Sequence, residues 1–255
     1  MTDRQTTSPD IAARPTFRTK GDKILNLVIH DLFDSRTHSQ AFNGTRADYI
    51  NLRIRVIAIS LAIITPLWIP VDFLLLPSTS ATSMTIMRIA ATVCFLLLGM
   101  WVKPVHNLPM ARLKLVALIG LLSYCNIQSK IILDDRALEG LLVSYSFLPY
   151  LTIAIQAIFP LTLRESLAMI VMVMGLIAGL ELYLGQLLTL GVSGELWLMG
   201  LLSGIAIWAQ MTQLHMLLSL YRQATRDPLT GLYNRRAFME RMDIEVERAV
   251  VTGTQ

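Results

Sequence analysis

The chain has 255 residues, 54% of them hydrophobic and only 16% charged, with a mean hydropathy of +0.55. Soluble domains carry about a quarter charged residues, so this composition excludes an ordinary soluble protein and points to lipid as the solvent. The net charge of +4 does not call for nucleic acid, because Lys and Arg gather in short stretches between apolar runs, where they set membrane orientation.

The first twenty residues, MTDRQTTSPDIAARPTFRTK, are polar, so no cleavable signal peptide is expected in them; they are expected to form a disordered arm. Next, Ile24, Leu25, Val28, Ile29, Leu32 and Phe33 recur at helical spacing. That pattern suits either an amphipathic helix on the inner membrane surface or one packed on the cytoplasmic loops. This arm, residues 1–55, is expected to be cytoplasmic. Crossing the hydrocarbon core takes about 20 apolar residues, and six stretches qualify: Val56–Leu76, Met84–Val102, Leu115–Ile132, Leu141–Leu163, Ser166–Leu190 and Leu196–Tyr221. The expected sensor domain therefore covers residues 56–210. Loop charge alternates as six spans require. Lys20, Lys23, Arg46, Arg53 and Arg55 precede the first span, Lys103, Arg112 and Lys114 follow the second, and Arg164 follows the fourth. The loops LPSTSATS and GQLLTLGVSGE carry no positive residue, and in the mixed loop SKIILDDRALEG three acids offset two bases. Both termini are accordingly expected in the cytoplasm.

Charge inside a span is costly. Asp72, Arg88, Lys130 and Glu181 all fall toward the outer ends of their helices, so two acids and two bases are expected to pair at one depth. Either they line an outward-facing pocket for a polar signal, or they are salt bridges that fix helix order. Trp68, Trp101 and Trp197 stand at span ends, where tryptophan anchors at the interface. His30, His38, His106 and His215 form no ligand set, and His215 reads as part of a solvated helix end. Cys94 and Cys125 lie in apolar runs, with neither disulfide nor metal spacing. The pairs Gly175/Gly179 and Gly200/Gly204 each put two glycines one turn apart; spans five and six could pack there, or build a dimer contact.

Past the second glycine pair the helical pattern continues. Met211, Leu214, Leu218, Tyr221 and Thr225 follow the 3-4 spacing of a parallel coiled-coil seam, so residues 211–226 are expected to be a signalling helix without a flexible linker. Asp227 and Pro228 then mark a helix start, Gly231 breaks that turn, and Asn234 is placed to cap a second helix. On that helix Phe238, Met242, Val246 and Ala249 share one face and await a covering layer.

The run Asp227-Pro228-Leu229-Thr230-Gly231-Leu232-Tyr233-Asn234-Arg235-Arg236 resembles the D-x-L-T-G-L-x-N-R-R signature that opens the GGDEF domains of bacterial diguanylate cyclases, and it matches every fixed position. The resemblance implies a membrane-bound cyclase that makes cyclic di-GMP from two GTP with Mg²⁺ or Mn²⁺, with two such domains facing each other in a homodimer. The whole chain is then an all-α polytopic protein of six spans, a signalling helix and the first helices (227–255) of an incomplete α+β GGDEF domain. A family member carries its metal aspartate and its G-G-[DE]-[DE]-F turn further on. The chain is therefore expected to be a truncated cyclase without a catalytic, cofactor or metal site of its own. Asp227, Leu229, Thr230, Gly231, Leu232, Asn234, Arg235 and Arg236 would hold the joint between signalling helix and domain; alternatively, Asp227 and Asn234 only cap helices and the arginines are solvated. The expected partners are membrane lipid, a second copy and an unidentified signal ligand, with no nucleic acid. A sensor histidine kinase-like receptor without its catalytic part, and a stand-alone membrane binding module, are the alternatives. A transporter would place charges at the bilayer midplane, and these are peripheral.

Overall fold

The computed structural model describes residue 32 and residues 39–101, 107–133, 145, 147–227, 229–235, 237–239, 242 and 246. Residues 1–31 and 33–38, which hold most of the N-terminal arm and of the amphipathic segment, Lys103, the charged loop after Leu133, Arg236 and Ala249 lie outside the described residues. Seven helices are described: α1 (Gln40–Leu67), α2 (Ile69–Leu75), α3 (Ser78–Met100), α4 (Leu108–Ile132), α5 (Leu148–Gln156), α6 (Leu163–Tyr183) and α7 (Leu190–Thr225). No strand occurs among the described residues; Arg226 and Tyr233 form an isolated antiparallel bridge. Five helices, α1 with α2, α3, α4, α6 and α7, are long and apolar enough to cross a membrane, the makeup of a multi-pass membrane protein.

Within the described part of the fourth expected span the helix is α5, whose nine residues rise only about 14 Å; residues 157–162 are not helical. Residues 134–144, which hold the start of that expected span, lie outside the described part. Two boundaries are corrected. The first helix starts at Gln40, well before Val56, because Ser39 accepts a hydrogen bond from Phe42 N (3.3 Å) and caps it. The expected loop LPSTSATS is mostly helical, since α3 begins at Ser78. Its hydroxyls are absorbed by the helix itself: Thr82 donates to Ser78 O at 2.7 Å and Ser83 to Thr79 O at 3.2 Å. Pro66 lies inside α1, whose end at Leu67 is followed directly by α2, as a proline that removes a donor dictates.

The helices alternate in direction, so 40, 100, 108, 161–163 and 225 share one end of the bundle, and 75–78, 132 and 183–190 share the other. α1, α3 and α4 pack together, α7 packs on α5 and α6, and α4 joins the two groups through α5 and α6. Ile54, Phe95, Leu115, Leu118, Ile153 and Val173 are among the buried centre. Leu74, Leu97, Val171 and Trp208 remain exposed on the outside, a surface that only lipid or another apolar partner satisfies.

The close approach of helices is not where the paired glycines predict it. A Cβ at Gly175, Gly179, Gly200 or Gly204 would meet nothing within 4 Å, whereas one at Gly99 would come within 2.9 Å of Ile59 Cγ1. Packing of spans five and six through the glycine pairs is therefore corrected: α6 buries Val173 and Ile177, and α7 buries Met199, Ser203 and Ala206, on other faces.

Candidate functional site

The ends of α4 and α6 and the start of α7 enclose a cavity of about 520 Å³ at the end of the bundle remote from the Asp227 joint. Its walls include Ser129, Lys130, Tyr145, Tyr150, Glu181 and Glu195. Lys130 Nζ reaches Glu181 Oε1 at 2.5 Å and Glu195 Oε2 at 3.1 Å. Beside it, the Arg88 guanidinium grips the Asp72 carboxylate through both Nε and Nη2, the latter at 3.0 Å from Oδ1. Asp72 is fully buried, where a fork of two N–H donors is the geometry that compensates a carboxylate.

All four intramembrane charges are therefore paired, but as two clusters rather than one. Tyr145 joins them: its hydroxyl donates to Asp72 Oδ1 at 2.6 Å while its side chain lines the cavity. Tyr145, Tyr150 and Glu195 were not singled out from sequence. Glu195 fell in a segment read as loop, whereas α7 begins at Leu190 with Thr189 capping it, which aims Glu195 back at Lys130. Trp68, Trp101 and Trp197 are all exposed, as interfacial anchors should be, and His215 is exposed on α7. Cys94 is exposed and Cys125 buried, both as free thiols.

A second polar centre lies at the opposite end. Arg46 is fully buried, donates to Pro160 O at 2.8 Å and pairs with Glu165; Arg112 pairs with the other oxygen of the same carboxylate. Glu165 also accepts from Thr162 N at 2.9 Å, closing a capping box on α6. Lys114 is buried as well and donates to Trp101 O at 3.0 Å. Cations that read as orientation signals thus also tie helices together. Nearby, Gln210 and Gln213 of α7 donate to Gln156 O (2.8 Å) and Ala157 O (3.0 Å) at the end of α5, so α5 and α7 are clamped below the cavity.

From the cavity, α7 runs 36 residues without a break, about 54 Å, through the expected boundary at 210 to the joint. The inferred seam needs correction. Leu214 and Leu218 face inward, covered by Phe42 and Leu32 of the same chain, and Tyr221 stacks edge-on against Phe42 at 5.3 Å. The 3-4 spacing is real, but its partner on these residues is the chain's own first helix.

At the joint, Asp227 caps a turn rather than a helix. Its Oδ1 accepts from Leu229 N (2.9 Å), Thr230 N (2.9 Å) and the Thr230 hydroxyl (3.2 Å). Gly231 sits at φ +70 and donates its N–H back to Asp227 O at 2.9 Å, a backbone conformation that disfavours any side chain. Asn234 works in both directions: Oδ1 accepts from Ala237 N at 2.9 Å, capping the next helical turn as expected, and Nδ2 donates to Ala224 O at 2.7 Å in the last turn of α7. Arg226 reaches Gly231 O at 2.9 Å and lies 5.1 Å from the Tyr233 ring. Leu229 and Leu232 are exposed, as are Arg235, Phe238, Met242 and Val246.

Two outcomes follow for this joint. The amide N–H groups of Thr230 and Leu229 hold the Asp227 carboxyl below its usual 3.8. Since the folded value is depressed, the turn keeps its full stability above pH 3.8 and loses it as pH falls through the lowered value. The Thr230 amide shift should therefore titrate with a midpoint below 3.8; a midpoint at or above the usual value contradicts the turn. Separately, Asn234→Ala removes the cap and the tie to Ala224, costing about 1 kcal/mol and raising the opened population roughly fivefold. Limited proteolysis between 225 and 235 should accelerate to match, and an unchanged rate would make Asn234 dispensable.

No protein-family model, curated protein or solved structure matches this chain. Among the described residues no group of three or more His, Cys, Asp or Glu is placed to hold a metal ion.

Proposed function

We propose that the chain is the membrane sensor region of a diguanylate cyclase, coupling a signal at the cavity to a cytoplasmic GGDEF domain that follows the joint. The observation that carries this reading is the unbroken α7, which borders the cavity at Glu195 and ends in the D-x-L-T-G-L-x-N-R-R run. In that run Asp227, Thr230, Gly231 and Asn234 each have a distinct hydrogen-bonding or backbone role. The exposed Leu232, Phe238, Met242 and Val246 are what a following α+β domain would cover. A helix continuing straight onward, as a histidine kinase-like receptor needs, fits poorly with the reversal at Asp227–Gly231.

In this reading the chain crosses the bacterial inner membrane six times with both termini in the cytoplasm. The segment around α5 is the fourth crossing, and the cavity is on the outer side. Two copies associate through the glycine faces of α6 and α7, which are open in one chain, so that two GTP-loaded domains meet. Positioning supplies the condensation's main advantage, and the metal and GTP belong to the catalytic domain.

Reporter fusions test the topology: Ser80, Glu139 and Ser193 should report outside, and Asn107, Glu165 and Thr225 inside. A fusion at Thr225 reporting outside contradicts it. The activity is tested in the reading frame that contains this chain. That frame should reach a GGDEF-like string and raise cyclic di-GMP when expressed; a frame leading into an unrelated domain sinks the cyclase reading. The purified 255-residue chain should not bind GTP.

A further inference from the structure

The cavity is not electrostatically neutral. Among the described residues that line it, Lys130 is the one cation, against the two carboxylates of Glu181 and Glu195, both within hydrogen-bond reach of the same Nζ. The Asp72–Arg88 pair next door cancels itself. One net negative charge is left in a low-dielectric surround, where it attracts cations and repels anions more strongly than in water.

One oxygen of these carboxylates lacks a hydrogen-bond partner. Glu195 Oε2 is taken by Lys130, while Glu195 Oε1 is buried without a hydrogen-bond partner. A buried carboxylate oxygen left unpaired is costly, and an ammonium N–H answers it directly. Around it, Tyr145 and Tyr150 supply aromatic surface, and Leu184, Val192 and Leu198 supply apolar wall. Aromatic rings beside a carboxylate are the surroundings in which organic cations are held, through attraction to the ring quadrupole. A bare metal ion matches less well. The cavity's 520 Å³ is the size of a small-molecule site, and no set of metal-ligating side chains is assembled among the described residues.

We propose that this cavity binds a small organic ammonium ion, with the charge seated at the Glu195 carboxylate and the apolar part against Tyr150 and Leu198. The assignment deepens the sensor reading and rests on it for its meaning as a signal, though not for the binding itself. The ligand would bear directly on α7 through Glu195 and on α5 through Tyr150, the two helices clamped further down by Gln210 and Gln213.

The test is calorimetric titration of the full chain in lipid nanodiscs with phenethylamine and with choline, using benzoate as the control of opposite charge. Both ammonium probes should bind saturably at millimolar concentration or below, and benzoate should not. Glu195→Gln keeps the shape and the Lys130–Glu181 pair but removes the charge, and should weaken both ammonium probes at least about tenfold. Tyr150→Leu should weaken choline severalfold with an unchanged melting temperature. Binding of benzoate in preference to the amines overturns the proposal, as does an unchanged affinity in Glu195→Gln or no ammonium binding at millimolar concentration. Because the readout is binding, the two readings fail separately: ammonium binding without cyclic di-GMP production removes the cyclase, and cyclic di-GMP production without ammonium binding removes this ligand class.

Discussion

If the proposed cyclase reading holds, inserting a single residue after Leu220 in a protein extended through its GGDEF domain should change cyclic di-GMP output by about tenfold or more, in the range of coupling between distant sites. One residue rotates everything beyond it by about 100°, and seven nearly restore the original face. The position is chosen so that Leu214 and Leu218 keep their packing on Phe42, while Tyr221 and the whole Asp227–Asn234 joint turn. Output should therefore vary periodically with insertion length, recovering near seven. Equal output for every length would make this stretch a plain tether. The expectation follows from the absence of any slack: α7 continues to Thr225, and Asn234 ties the next segment to its last turn. A joint held by Asp227, Gly231 and Asn234 passes on a rotation of α7, where a Gly/Ser linker would lose it.

Glu165→Ala should be the most destabilising single substitution at the joint-side end of the bundle. It leaves Arg46, which is fully buried, without its counter-ion, and removes the carboxylate that pairs with Arg112 and accepts from the N–H of Thr162. Breaking one side of a buried pair costs about 3–5 kcal/mol, because the stranded charge remains in low dielectric. Arg46→Met, which removes the buried charge, should cost clearly less than Glu165→Ala. Melting curves of both variants in nanodiscs decide the matter. A Glu165→Ala protein melting with the wild type would mean that Arg46 reaches water.

What was legible in the sequence follows from the strongest physical signals. Long apolar runs announce spanning helices, because an unsatisfied backbone in lipid is too costly to be tolerated. The same cost makes Asp72, Arg88, Lys130 and Glu181 find partners, as inferred. Asn234 as a cap was readable because capping is local. Other features were not readable, each because a long-range contact decides it. Tyr145 lies 73 positions from the Asp72 it bonds, and Glu195 lies 65 from Lys130. Arg46 looked like a loop cation until Glu165, 119 positions away, closed on it. The 3-4 pattern of Leu214, Leu218 and Tyr221 states that one face of the helix is buried, not what buries it; Phe42 of the same chain does. The glycine pairs misled for the same reason. Small residues permit close approach without requiring it, and the close approach occurs at Gly99 instead.

Everything in this account depends on α7 being one stiff element from the cavity to the joint. Amide hydrogen exchange on the chain in nanodiscs measures that directly. The account predicts continuous protection from Trp197 through Tyr221, since these residues lie inside one unbroken helix. Protection should also cover the Gly231 and Asn234 amides, which are bonded to Asp227 O and Thr225 O. A window of rapid exchange between Gln210 and Thr225, opening independently of the bundle, would contradict it, because a helix that melts there cannot carry a signal to the joint.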